Sequence, residues 1–75
     1  MDIADVTIHV DENINHDQRV GIIDSMIAHG GVTDVISSDS KPHIMVVKYD
    51  PSKVSSHDLL QIVRDSGVHA ELIGL

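Results

Sequence analysis

The sequence predicts an α+β fold: a four-stranded antiparallel sheet with two helices on one face, in the order βαββαβ. Three observations carry that reading. The hydrophobic period switches from two to about 3.6 and back, twice along the chain. Glycines or the Asp50-Pro51-Ser52 break stand where periodic runs must stop. A short polar segment, Asp39–Pro42, separates two β-favouring runs and leaves no room for a helix between them. Alternating strands and helices around one central hairpin make a split-βαβ, ferredoxin-like sandwich.

The elements follow in order. Val6, Ile8 and Val10 alternate with Thr7 and His9, the pattern of a half-buried strand. After the polar stretch Asp11–Asp17 the period becomes helical, with Val20, Ile23 and Ile27 on one face and Ile22 and Met26 beside it. Gly21 inside this helix costs on the order of 1 kcal/mol relative to alanine, which predicts a packing reason for it. Gly30-Gly31 ends the helix, because glycine takes the left-handed C-terminal conformation cheaply. Val32–Ser38 reads as the second strand, Asp39–Pro42 as the turn, and His43–Tyr49 as the third strand. Ser55 caps the second helix, and Asp58 three residues on completes a capping-box-like pair. That helix is expected to bury Leu59, Ile62 and Val63, with Leu60 on its flank, and to end at Gly67. Val68–Ile73 closes as the fourth strand.

Seventy-five residues make a single domain, 1–75, whose core must be aliphatic: the chain has no Phe or Trp and one Tyr. Having no cysteine, it can build neither a disulfide framework nor a thiolate metal site. Five basic against twelve acidic residues give a net charge of −7, which argues against nucleic acid as a partner. No apolar run approaches the roughly 18 residues of a spanning helix, so no membrane insertion is expected. Met1-Asp2 opens no signal peptide, and a cytoplasmic location follows as the expectation. Protonating all six histidines would bring the charge to −7 + 6 = −1, so solubility is expected to be lower near pH 5 than near pH 8. No nucleophile elbow, glycine-rich phosphate loop or paired-histidine zinc helix occurs, and His29-Gly30-Gly31 is accounted for by helix termination. The chain therefore reads as a binding module rather than an enzyme.

Val10 ends the first strand, Gly31-Val32 opens the second, and Val47-Lys48-Tyr49-Asp50-Pro51 closes the third. Gly67-Val68-His69-Ala70-Glu71-Leu72-Ile73 follows the second helix. In these landmarks, and across almost its whole length, the sequence resembles the heavy-metal-associated domain of copper chaperones and metal-pumping ATPases. The resemblance implies a ferredoxin-like fold, metal capture in the first loop, and hand-over to a protein partner. The family's loop motif is Gly-Met-x-Cys-x-x-Cys. Here it has become Glu12-Asn13-Ile14-Asn15-His16-Asp17-Gln18, so the cysteine positions fall on Asn15 and Gln18. The aromatic or lysine that often lies near that site becomes Val68. Neutral amides are poor ligands for a soft ion, and a helix N-terminus without thiolates repels a cation. Cu(I) bound through thiolates is excluded.

Two candidate sites remain. His16, with Asp17 and Glu12, offers imidazole and carboxylates, a donor set for a borderline divalent ion such as Zn²⁺, Ni²⁺ or Co²⁺. The same residues also read as a polar helix start, with Asn15 as N-cap and Asp17 in the first turn. His9 and His69 should point to the open sheet face and approach each other if the first and fourth strands are neighbours. The second candidate is that open face itself. With Met45, Val47 and Tyr49 turned toward the helices, Ile44 and Val46 must point away, joined by Ile36 and Ile73. Such a patch would serve contact with a protein partner or formation of a homodimer.

Overall fold

The structure, a computed structural model, describes residues 2–73; Met1, Gly74 and Leu75 lie outside it. The elements run β1 (Ala4–Val10), α1 (His16–His29), β2 (Val32–Ser38), β3 (Lys41–Tyr49), α2 (Ser56–Asp65) and β4 (Ala70–Ile73). The strands form one antiparallel sheet in the order β2-β3-β1-β4, the ferredoxin-like arrangement expected from the βαββαβ order. Strict alternation turns Val6, Ile8 and Val10 of β1, and Met45, Val47 and Tyr49 of β3, into the buried layer under the helices. Ala70 joins them from β4.

Both helices begin in the same way. Asn15 and Ser55 are N-caps whose side chains accept from the backbone N–H of Gln18 and Asp58, and those residues' side chains accept in turn from the cap N–H. Each cap is preceded by a buried aliphatic, Ile14 and Val54, so the chain is anchored in the core one residue before the helix starts.

Several boundaries and faces differ from the sequence-based expectation. In α1 the buried residues are Arg19, Ile22 and Met26, while Val20 and Ile27 are exposed. The apolar periodicity there was ambiguous, and the position that completes the buried stripe is occupied by an arginine. In α2, Leu60 is buried with Leu59 and Val63, and Ile62 is only partly covered. The β2–β3 turn is shorter than Asp39–Pro42: Ser38 pairs with Lys41, leaving Asp39 and Ser40 as the turn. The fourth strand begins at Ala70 rather than Val68. Gly21 has no packing reason either, because a Cβ built there meets nothing within 4 Å. Gly31 is the opposite case. Its φ is +87°, and a Cβ there would lie 2.9 Å from both Lys53 Cβ and Val54 Cγ1.

Candidate functional site

The first loop and the start of α1 are where the resemblance places metal capture. Asn15 Oδ1 accepts from the Gln18 N–H at 2.8 Å, and Gln18 Oε1 accepts from the Asn15 N–H at 2.9 Å. The two side chains in the positions where the resemblance places cysteines are thus bonded to the helix end itself. They satisfy backbone donors that the helix leaves open.

The three residues of the expected loop site are drawn in different directions. His16 Nδ1 lies 3.3 Å from Asp39 Oδ1, in the β2–β3 turn. Glu12 turns to His69, accepting from its backbone N–H at 2.9 Å and meeting its ring Nδ1 at 2.7 Å. Asp17 stands in the first turn of α1, where its charge suits the helix dipole. Asp39 also pairs with Arg19, a guanidinium buried under the turn. The Arg19 hydrogen bond, followed by that of His16, lowers the Asp39 pKa below its ordinary value. Glu12 is likewise held below its ordinary value by the His69 ring and then by the His69 backbone N–H, and the same contact raises His69. This clasp ties the first loop to the chain just before β4.

A second convergence lies on the open face, where β1 runs out between β3 and β4. His9 is opposite Ile44 on one side and Glu71 on the other. Its Nδ1 lies 3.3 Å from Asp11 Oδ1 and 3.4 Å from Glu71 Oε1. Neither oxygen is placed to accept a hydrogen bond from Nδ1, and that nitrogen is closed to solvent. Among the described residues, His9, Asp11 and Glu71 are the group of three ligand-bearing side chains whose donor atoms come together, all within 4.8 Å. The His43 ring is stacked beside His9, with centroids 6.1 Å apart and planes at 20°. His43 Nδ1 lies 2.8 Å from the Val10 carbonyl oxygen; since a carbonyl only accepts, that nitrogen carries the proton.

His9 and His69 are not register partners, and the His69 ring meets Glu12 instead. The register puts Glu71 opposite His9, two residues further on. Asp39 and Arg19 carried no sequence signal as partners, because only the folded hairpin brings the turn over α1.

Three of the apolar residues of the open face fall on one row across the sheet, with Ile44 beside it. Ile36 pairs with Val46, Val46 with Thr7, and Thr7 with Ile73. Ile36 and Ile73 are exposed, and Ile44 and Val46 are half-buried. A shallow groove at this edge is lined by Ile36, Ser38, Lys41, Ile44 and Val46.

No protein-family model matches the sequence, and no curated protein sequence matches it. Solved structures do. A copper binding domain from HMA7, a P-type ATPase, superposes with a TM-score of 0.81 at 17% identity, over 93% of each chain. Oxidized MerP from Ralstonia metallidurans CH34 gives 0.80 at 20% identity, over 95% of this chain and 97% of that one. The mercury-bound form of MerP, the periplasmic protein of the bacterial mercury detoxification system, gives 0.75 at 20% over the same shares. The fold is that of heavy-metal-associated domains, here in a chain without cysteine.

Proposed function

We propose that a chain with the heavy-metal-associated fold and no thiolates is a non-enzymatic binding module, handling a divalent metal ion through imidazole and carboxylate groups. The observation that supports this is the donor set: His9, His16 and His69 each lie within 4.0 Å of a carboxylate oxygen. Imidazole with carboxylates suits Zn²⁺, Ni²⁺ or Co²⁺ and does not suit Cu(I). Two of these contacts, His16–Asp39 and Glu12–His69, border the first loop with their donors apart, and the third, at His9, lies on the open sheet face. Such a site, exposed and without thiolates, binds weakly and exchanges readily. A cytoplasmic location belongs to the same proposal, although the fold also serves a periplasmic protein.

Calorimetry at pH 7.5 tests the reading. Metal-stripped protein is expected to take up about one Zn²⁺ saturably at micromolar to sub-millimolar metal, and to hold no Cu(I) against a bathocuproine chelator. Cu(I) retained under those conditions, or no saturable uptake of Zn²⁺, Ni²⁺ or Co²⁺, contradicts it.

A second reading is supported by the row Ile36–Val46–Thr7–Ile73. Three aliphatics aligned across four strands, with Ile44 beside them, give the open sheet face the character of a contact surface for a protein partner or a second copy. Ile44→Glu is then expected to abolish any self-association seen by sedimentation. A native protein that stays monomeric at millimolar concentration removes the homodimer form of this reading.

A further inference from the structure

We propose that His9, Asp11 and Glu71 form a divalent-cation site on the open face of the sheet, with a tetrahedral preference that favours Zn²⁺. This rests on the metal-handling reading above and assigns the ion a place away from the first loop.

The geometry carries the argument. In a tetrahedral zinc site with bonds of about 2.0–2.1 Å, neighbouring donor atoms stand about 3.3–3.4 Å apart. The His9 Nδ1 to Asp11 Oδ1 and His9 Nδ1 to Glu71 Oε1 separations are 3.3 and 3.4 Å. An octahedral ion with bonds near 2.1 Å would draw its donors to about 3.0 Å. These two separations fit the smaller coordination number, and the third, between the carboxylates, lies within 4.8 Å.

The chemistry agrees. A histidine nitrogen between two carboxylates ordinarily donates to one of them. Here Nδ1 donates to neither and is shut off from solvent. Three Lewis-basic atoms converge with no proton in line between them, an arrangement that a cation completes. Asp11 and Glu71 are themselves well exposed, so they can open to admit an ion and leave a fourth position for water or a partner's ligand. The backbone holds the parts in place. His9 and Glu71 are register partners on β1 and β4, and Asp11 follows directly after β1, its N–H donating to the His69 carbonyl. The His43 ring, fixed by its bond to the Val10 carbonyl, stacks beside His9 and restricts its rotation.

Cobalt substitution tests the proposal on the intact chain. Co²⁺ is expected to give the intense visible bands of a tetrahedral site, displaced by one equivalent of Zn²⁺. His9→Gln and Glu71→Gln should each weaken zinc binding at least tenfold and remove those bands, while His57→Ala, an exposed histidine of α2, stays within twofold of the native affinity. Urea unfolding of each variant verifies that the fold persists. If zinc binds but His9→Gln leaves it unchanged, or His16→Ala abolishes it, this location is wrong and the metal-handling function stands. If the native protein binds no divalent ion, both fall.

Discussion

Two amides decide what the first loop can do. Asn15 and Gln18 occupy the positions where the related loop motif has thiolates, and they bond back to the helix end rather than outward. Asn15→Ala should lower stability by about 0.5–2 kcal/mol, the usual cost of removing an N-cap, measured by urea unfolding. The Glu12–His69 clasp behaves differently because both partners titrate. His69 has its pKa raised above 6.5 on folding, so its contribution is complete below 6.5 and fades as pH rises through the raised value. Glu12 has its pKa lowered below 4.5, so its contribution is complete above 4.5 and fades as pH falls through the lowered value. Both are fully present together only between 4.5 and 6.5. His69→Ala should therefore shift the urea midpoint more at pH 5.5 than at pH 8.5; equal shifts would show that the ring contact contributes nothing. The caps were legible in the sequence, since Asn-x-x-Gln and Ser-x-x-Asp are local patterns. The Glu12–His69 and Arg19–Asp39 pairs were not, because each joins residues about 20 or more apart through the folded sheet.

At the scale of elements, two glycines of one helix–turn segment should respond in opposite directions to alanine. Gly21 lies within α1 with open space at its Cβ, so Gly21→Ala should stabilise by about 0.5–1 kcal/mol. Gly31 has φ +87° and its Cβ position lies against Lys53 and Val54, so Gly31→Ala should destabilise by more than about 1 kcal/mol. Thermal melts of the two variants read both signs. The strands were legible because period two is a strong signal where every second residue is aliphatic, as in Val6-x-Ile8-x-Val10. The face of α1 was not, since Val20, Ile22, Ile23, Met26 and Ile27 cover more than one stripe and Arg19 fills a buried place. The α1 start also retains the geometry of a loop that opens on a helix end. Introducing thiolates with Asn15→Cys and Gln18→Cys together is accordingly expected to create Cu(I) binding that competes with a chelator. A double variant that folds but remains unable to hold Cu(I) would mean that the loop itself has changed shape, beyond its ligands.

Across the whole molecule, the helices cover one face of the sheet, and the other carries both the aliphatic row and the His9–Asp11–Glu71 group. Element order and layer were readable from the alternation of periods and the strand neighbours from the family resemblance, whereas the position of the donor group was not. It depends on a register in which Val10 meets Ala70, and a slip of two residues would have put His69 beside His9. The central claim is that ion binding, if thiolates no longer carry it, belongs to this sheet face and not to the helix-start loop. A ¹⁵N-amide titration of metal-stripped protein with Zn²⁺ at pH 7.5 tests that most directly. Saturable shifts are expected to centre on His9, Asp11 and Glu71, with Asn15 to Gln18 unmoved. Saturable shifts centred on Asn15 to Gln18, with His9 and Glu71 still, would contradict it.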